Sequence, residues 1–259
     1  MPDPSVVIRH CHTVAEFEQM VELEFAVWGF GERDLVPSQM YVVAAKIGGQ
    51  AISAFVDDKM VGFALAYPGI RDRRPYLHSH MAAVLPEYRD LGIGRQLKLA
   101  QRDDALARGI SLIEWTFDPL QIRNAYFNIC RLGVVVRRYL LDVYGSTSSP
   151  LHGGLPTDRL IAEWHLASDR VAKVLGGKEP AIGDAKERIE IGLDESSPET
   201  IAQTQIQARQ RFQDLFARGY VVTWFEKLPG GGAYLLEPEK QSNARRSKES
   251  DLQSPVSGA

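Results

Sequence analysis

The stretch Val84 to Leu97, VLPEYRDLGIGRQL, passes from an apolar run through a proline and two glycines into a helix-like pattern. No other segment limits the fold as tightly. Pro86 cannot donate to a strand ladder, so the extended run ends there. Beyond it, Gly92 and Gly94 lack Cβ atoms, so backbone and phosphate can approach closely. At a strand-to-helix junction the first helical N–H groups lack partners and point outward. With the positive end of the helix dipole they form an anion site. Arg89 adds a fixed charge whose fork suits phosphate oxygens. A pyrophosphate-bearing cofactor is the ligand this junction predicts. Commoner phosphate motifs do not fit: a dinucleotide fingerprint needs a third glycine where Leu97 stands, and no G-x-x-x-x-G-K-[ST] run exists.

The flanking pattern reads as a mixed α/β sheet. Val6–Ile8 is a short strand, and Thr13 with Glu16 resembles a capping box opening a helix through about Trp28. Pro37 starts a second helix that ends near Ile47–Gly49. AISAFV and MVGFALAY, separated by Asp57–Lys59, read as a hairpin, and Tyr76–Val84 as a further strand. A helix from about Gly92 to Arg108 stops at Gly109. Ile93, Leu97, Ala100 and Ala107 form one line on it and Leu99, Leu106 and Ile110 a second, which predicts a helix covered on more than one side. Ser111–Phe117 is a strand, Leu120–Arg131 a helix closed by Gly133, and VVVRRYLLDVYG and DRLIAEWHL are strands. This order gives one crossover helix, between Val84 and Ser111. Composition shifts after Ala167. There a strand over Arg188–Leu193, a helix capped by Ser197 and Pro198, and a hairpin from Tyr220–Lys227 to Ala233–Leu236 are expected. LARGISLIEWTF and FARGYVVTWFEK echo each other, which a shared helix–glycine–strand junction explains more simply than duplication. The expected organisation is a first domain over 1–167, an α+β extension over 168–237 and a disordered tail over 238–259.

Composition narrows the function classes. The 259 residues are 44% hydrophobic with a net charge of -3, and no dense basic block occurs in the body of the chain. No nucleic-acid surface is indicated. Two cysteines, Cys11 and Cys130, cannot build a disulfide framework or a zinc site, and no metal is expected. The N-terminus has no signal-peptide pattern, and the longest apolar run, Met60–Tyr67, is too short to span a bilayer. A cytoplasmic protein without a membrane partner is the expectation.

Val84, Pro86, Glu87, Tyr88, Arg89, Gly92, Ile93 and Gly94 spell V-x-P-E-Y-R-x-x-G-I-G, which closely resembles the acetyl-CoA signature of the GNAT superfamily of N-acetyltransferases. The element order through about Leu166 resembles that fold as well: a mixed, mostly antiparallel, splayed sheet flanked by helices. YLHSHMAAV, FDPLQIRNAYFNICRLG and LPTDRLIAEW together resemble a little-characterised bacterial branch. The resemblance implies acetyl-CoA as acyl donor and an amine acceptor of unknown identity. It also implies cofactor contacts at Val84, Arg89, Asp90, Leu91, Gly92, Ile93, Gly94 and Arg95, several through backbone amides. The pantetheine arm is expected in a gap between the strand ending at Val84 and Ser111–Phe117, with Asn124 and Asn128 contacting it.

Acetyl transfer needs a base for the amine, a donor for the oxyanion and a proton for the leaving thiolate. Many relatives carry a carboxylate on the strand before the signature; that neighbourhood here holds His78 and His80, which alternation puts on one face. Glu114, Thr116 and Asp118 are competing polar groups. Relatives usually place a tyrosine, as acid toward sulfur, where this chain has Ile129; Tyr126 and Asn128 are the nearest substitutes. Trp28, Asp34 and Pro37 lie where the first two helices of relatives wall the acceptor site, and Asp118 is a further substrate candidate. The extension is expected to widen the sheet, lid the acceptor side or make a homodimer contact. Rival readings are a non-catalytic acyl-CoA-binding or sensing module, an enzyme using a longer acyl donor, and a structural partner with a degenerate pocket.

Overall fold

The computed structural model describes residues 5–145, 155–178, 187–192 and 197–239. The expected tail lies outside them from residue 240 onward. Strands β1 (Val6–His10), β2 (Gln50–Val56), β3 (Lys59–Arg71) and β4 (Arg74–Val84) pair antiparallel in that order. Next to β4 lies β5 (Leu112–Phe117), parallel to it. The sheet then runs antiparallel through β7 (Arg159–His165), β6 (Val135–Leu140), β9 (Tyr220–Leu228), β10 (Gly231–Pro238) and β8 (Glu187–Gly192). The described residues thus form one ten-stranded, mixed, mostly antiparallel open sheet. The strands after residue 187 continue it beyond β6, joined there by the pair Val136–Val222.

Helices cover both faces. α1 (Val14–Trp28) and α2 (Ser38–Lys46) pack Phe17, Met20, Tyr41 and Ala44 against Phe63 and Leu65 of β3. On the opposite face α3 (Ile93–Ala107) seats Ile93 and Leu97 on Ile52, Ala54, Val61 and Ala64. The β4–α3–β5 crossover is what allows β5 to lie parallel beside β4. α4 (Ile122–Tyr126) passes into a π-helical turn, Phe127–Leu132, and ends at Gly133, whose φ is 81°. α5 (Asp169–Leu175) and α6 (Pro198–Ala217) complete the set. Gly109 and Gly219, with φ of 74° and 79°, each link a helix to a strand, as the shared-junction reading of the sequence echo requires.

Three elements depart from the sequence reading. β3 and β4 extend toward each other through a tight turn at Asp72 and Arg73, both with positive φ (50° and 61°), which lengthens the hairpin beyond its apolar part. α5, capped by Ser168, was not expected, because its short apolar set of Val171 and Val174 sits among charged residues. α3 meets two clusters, Ile93, Leu97 and Ala100 in one and Ala105, Leu106 and, just past its end, Ile110 in the other, but its buried residues are not all apolar. Its buried stripe is Ile93, Leu97, Lys98, Gln101 and Ala105, while Leu99 and Leu106 are half-buried and Ala107 is exposed. Two polar residues stand where periodicity looks for apolar ones.

The cap of α1 has both arms of its box: Thr13 Oγ1 accepts from the Glu16 amide and Glu16 Oε2 accepts from the Thr13 amide at 3.0 Å. Thr13→Ala is expected to lower unfolding stability by about 1 kcal/mol, read as a shifted urea midpoint with an unchanged slope.

Candidate active site

The site is built where β4 and β5 part. They pair only at Leu77–Ile113 and His78–Glu114. Beyond those pairs β4 stays bonded to β3 and β5 to β7. The facing edges, Ser79–Val84 and Trp115–Phe117, therefore border a slot inside the sheet. Such edges present unpaired N–H and C=O groups to whatever enters. A bulge opens it further: Leu65 pairs with Met81 and Ala66 with Ser79, so His80 is the extra residue on β4.

The signature loop stands at the mouth of this slot. A turn of 3-10 helix, Pro86–Tyr88, follows β4, and then Asp90 (φ 65°) and Gly92 (φ 75°) both take left-handed backbone. Among the described residues, the amides of Leu91, Gly92, Ile93, Gly94 and Arg95 donate to no protein acceptor; the first bond into α3 is Gln96 N–H to Gly92 O at 3.1 Å. A row of free donors at a helix N-terminus with left-handed turns beside it is a concave anion site. A Cβ on Gly92 would meet nothing within 4 Å, and one on Gly94 would meet only Val84 Cγ2 at 3.9 Å. The space over both glycines is open.

The remaining loop residues divide. Arg89 is exposed, with a long contact from Nε to Val84 O at 3.4 Å, so its charge faces the loop. Asp90 is paired with Arg123 of α4 at 2.7 Å, which ties the loop to that helix. Leu91 is exposed at the rim, and Ile93 is buried as the anchor of the helix. Arg95 does not turn its guanidinium to the loop. It donates to Leu175 O at the end of α5, so only its amide belongs to the anion site. Asn124 is exposed on α4; Asn128 is buried and accepts from Trp115 Nε1 at 3.3 Å.

On the α1/α2 face of the slot, His78 and His80 come together, their ring centroids 6.3 Å apart, with Tyr67 5.8 Å from His80. Burial lowers the pKa of both: His80 falls to about 4, with His78 adding to the fall, while for His78 the Glu114 charge opposes the burial. Both rings are therefore neutral at pH 7, and among the described residues neither nitrogen set is held by a protein hydrogen bond.

Glu114 is arranged differently from a free base. It accepts two bonds from Arg71, at 2.5 and 2.8 Å, and one from Arg138 at 2.6 Å. Arg138 also reaches Glu163, as does Arg137. This chain of ion pairs holds the β3–β4 hairpin to β5, β6 and β7. Thr116 shares a hydrogen bond with Tyr144, and Asp118 accepts from the Leu120 amide in the turn after β5. Tyr126 also departs from its expected direction: its ring lies under Lys227 Nζ of β9, 4.0 Å from the centroid. Ile129, at the position where a tyrosine was sought, is fully buried. Trp28 is half-buried, stacked on Phe30 and edge-on to Phe63, and Asp34 lies in the short helical turn Glu32–Asp34 between α1 and α2.

Two buried charges escaped the sequence reading. Glu24 of α1 accepts from the Val36 amide and the Tyr41 hydroxyl, both at 3.0 Å, and burial raises its pKa to about 7 against those bonds. It fastens the 29–37 connection beside Tyr67. Lys98 of α3 lies under the slot. Each occupies a core phase of its helix, at Phe17–Met20–Glu24 and Ile93–Leu97–Lys98, which was the available signal. Among the described residues, no group of three or more His, Cys, Asp or Glu could hold a metal, and no helix is long and apolar enough to cross a membrane.

Residues 16–127 match the model of the acetyltransferase (GNAT) family. No curated protein matches the chain. Among solved structures it is similar to the ribosomal-protein-S18-alanine N-acetyltransferase from Escherichia coli, with 15% identity, a TM-score of 0.51, and 63% of this chain and 96% of that one covered. A Salmonella typhimurium structure, described as a candidate acetyltransferase with its cofactor acetyl-CoA, gives 16%, 0.51, 63% and 95%. An Arabidopsis thaliana protein in complex with the bisubstrate analogue CoA-Ac-MVNAL gives 16%, 0.50, 61% and 97%. At these identities the likeness is one of fold.

The ion-pair chain sets acid sensitivity. Burial alone would raise Glu163, but its bonds and charges from His165, Arg137 and Arg138 bring it down to about 2 from 4.5. A lowered folded pKa gives stability that is full above the unfolded value and lost as pH falls from about 4.5 toward about 2. Arg138→Met, which strips a partner from Glu114 and Glu163, is expected to cost roughly 3 kcal/mol at neutral pH and to move the acid-unfolding midpoint upward by circular dichroism.

Proposed function

From the match of residues 16–127 to the acetyltransferase (GNAT) family model, we propose that the chain moves an acetyl group from acetyl-CoA to an amine by direct transfer in a ternary complex. One observation supports this above the rest: unsatisfied amides at Leu91–Arg95 stand at the mouth of a slot between two strand edges. The amides and Arg89 suit the diphosphate. The strand edges suit the pantetheine arm, whose own amide groups can continue the broken ladder. Acyl transfer then takes place near the bulge at His80, with the acceptor approaching from the α1/α2 face past Trp28 and the 29–37 connection.

In this reading neutral His78 or His80 takes the proton that the attacking amine loses. His78 is the stronger base of the two, because Glu114 offsets its burial. The lowered histidine pKa values put the acid limb of turnover below the ordinary imidazole range. The buried Ile129 favours one second reading, an acyl-CoA-binding module without turnover, since it leaves no hydroxyl at that place.

Gly94→Ala separates ligand contact from folding. The added methyl fits the protein and suits a helix, yet it crowds a phosphate. We expect Gly94→Ala and Arg89→Ala to weaken CoA binding about tenfold or more in calorimetric titration, with thermal stability preserved. His78→Ala and His80→Ala are expected to reduce turnover of acetyl-CoA with an amine panel by about a hundredfold or more at unchanged CoA affinity. Full rates in both histidine variants would remove the base assignment. Tight CoA binding with no thiol release in the wild type would select the binding module.

A further inference from the structure

We propose that Lys98 is the proton source for the departing CoA thiolate and acts through the Ser79 hydroxyl, an inference that rests on the acyl-transfer reading above. Ser79 on β4 and Trp115 on β5 are the first residues past the last β4–β5 pair on the α3 side, so they flank the closed end of the slot. Lys98 spans them from below. Its Nζ donates to Ser79 Oγ at 2.7 Å and to Gln101 Oε1 at 3.2 Å, and lies 4.1 Å from the Trp115 ring centroid.

Among the described residues, the groups in direct contact with this ammonium are neutral, and its charge reaches His78 only across the sheet, where it lowers that ring's pKa. Among the described residues Lys98 has no carboxylate partner, although it is buried. Charged neighbours point elsewhere. His78 and Glu114 lie on the opposite face of the sheet, Arg95 and Arg102 donate to carbonyls of Leu175 and Leu166, and Asp104 is paired with Arg108. An unpaired buried ammonium costs stability, so a structural post would be better made of methionine or leucine. Burial lowers the Lys98 pKa to about 7, which matches a group that must give up a proton near neutrality. The other candidates for this duty are engaged elsewhere: Tyr126 packs against Lys227, and Asn128 is buried and accepts from Trp115 Nε1.

The amine nitrogen bonds to the thioester carbon, and as the adduct collapses the C–S bond breaks with its electron pair going to sulfur. The Ser79 hydroxyl, which donates to Gln101 Oε1 at rest (3.0 Å), rotates and passes its proton to sulfur while taking one from Lys98 Nζ. Gln101 Oε1 keeps its bond from Lys98. The amine left on Lys98 regains a proton from solvent, which offsets the one lost by the acceptor nitrogen.

Lys98→Met keeps most of the length of the side chain and removes the charge. The test titrates the thiol of enzyme-bound CoA by its ultraviolet thiolate absorbance, beside kcat and the calorimetric affinity for CoA. We expect Lys98→Met to fold with undiminished melting temperature and to bind CoA as the wild type does. Its kcat should fall about 10²–10⁴-fold, and the pKa of the bound thiol should rise by roughly one unit or more. Ser79→Ala is expected to lower kcat in the same way with the ammonium still present, and it carries the test if Lys98→Met fails to fold. A drop in kcat with an unmoved thiol pKa in Lys98→Met would mark a structural role and overturn the proposal, as would wild-type kcat in either variant. Failure of the wild type to bind CoA at all would overturn the acyl-transfer reading and this inference together.

Discussion

The structure depends on the early end of pairing between β4 and β5. Two residue pairs hold these parallel strands, and then each follows its other neighbour. A sheet that abandons a ladder in its interior leaves polar edges that need partners. The bulge at His80 and the crossover through α3 make the divergence a fixed feature of the topology. The same crossover brings the N-terminus of α3 to the mouth of the gap. The slot and the row of open amides at its mouth are thus consequences of one connection, and the extended sheet beyond β6 leaves both in place.

Charge is sorted by the sheet. On the α1/α2 face, arginines and glutamates form a linked set that braces β3–β4 against β5–β7, and the two histidines stand beside it with no hydrogen-bond partner among the described residues. On the α3 face the Lys98 ammonium contacts only neutral groups among the described residues. An acceptor amine and a leaving thiolate have opposite proton requirements. Opposite faces of one slot can meet them with groups that do not neutralise each other.

Much of this was legible from local pattern. The capping box at Thr13, the turn at Asp57 and Asp58, and the glycine stops at 109 and 133 follow from backbone preferences that act within a few residues. The open loop before α3 was legible for the same reason: Gly92 takes left-handed backbone and the space over Gly94 is open. The splay could be reached only through family resemblance, because pairing between β4 and β5 is non-local. Lys98 and Glu24 were missed because periodicity sorts residues by polarity, and a buried charge looks like a gap in the stripe. Glu114 showed the opposite failure. Its position on β5 marked it as a catalytic candidate, while its two arginine partners lie 43 and 24 residues away along the chain.

In the proposed acyl transfer the diphosphate of CoA is held by main-chain N–H groups at the start of α3. Amide-resolved nuclear magnetic resonance during a CoA titration tests this most directly. The account predicts that the amides of Leu91 to Arg95 show the largest downfield shifts and the greatest gain in exchange protection, together with residues along Ser79–Val84. Saturable CoA binding that leaves those five amides unmoved, while signals elsewhere shift, would contradict it.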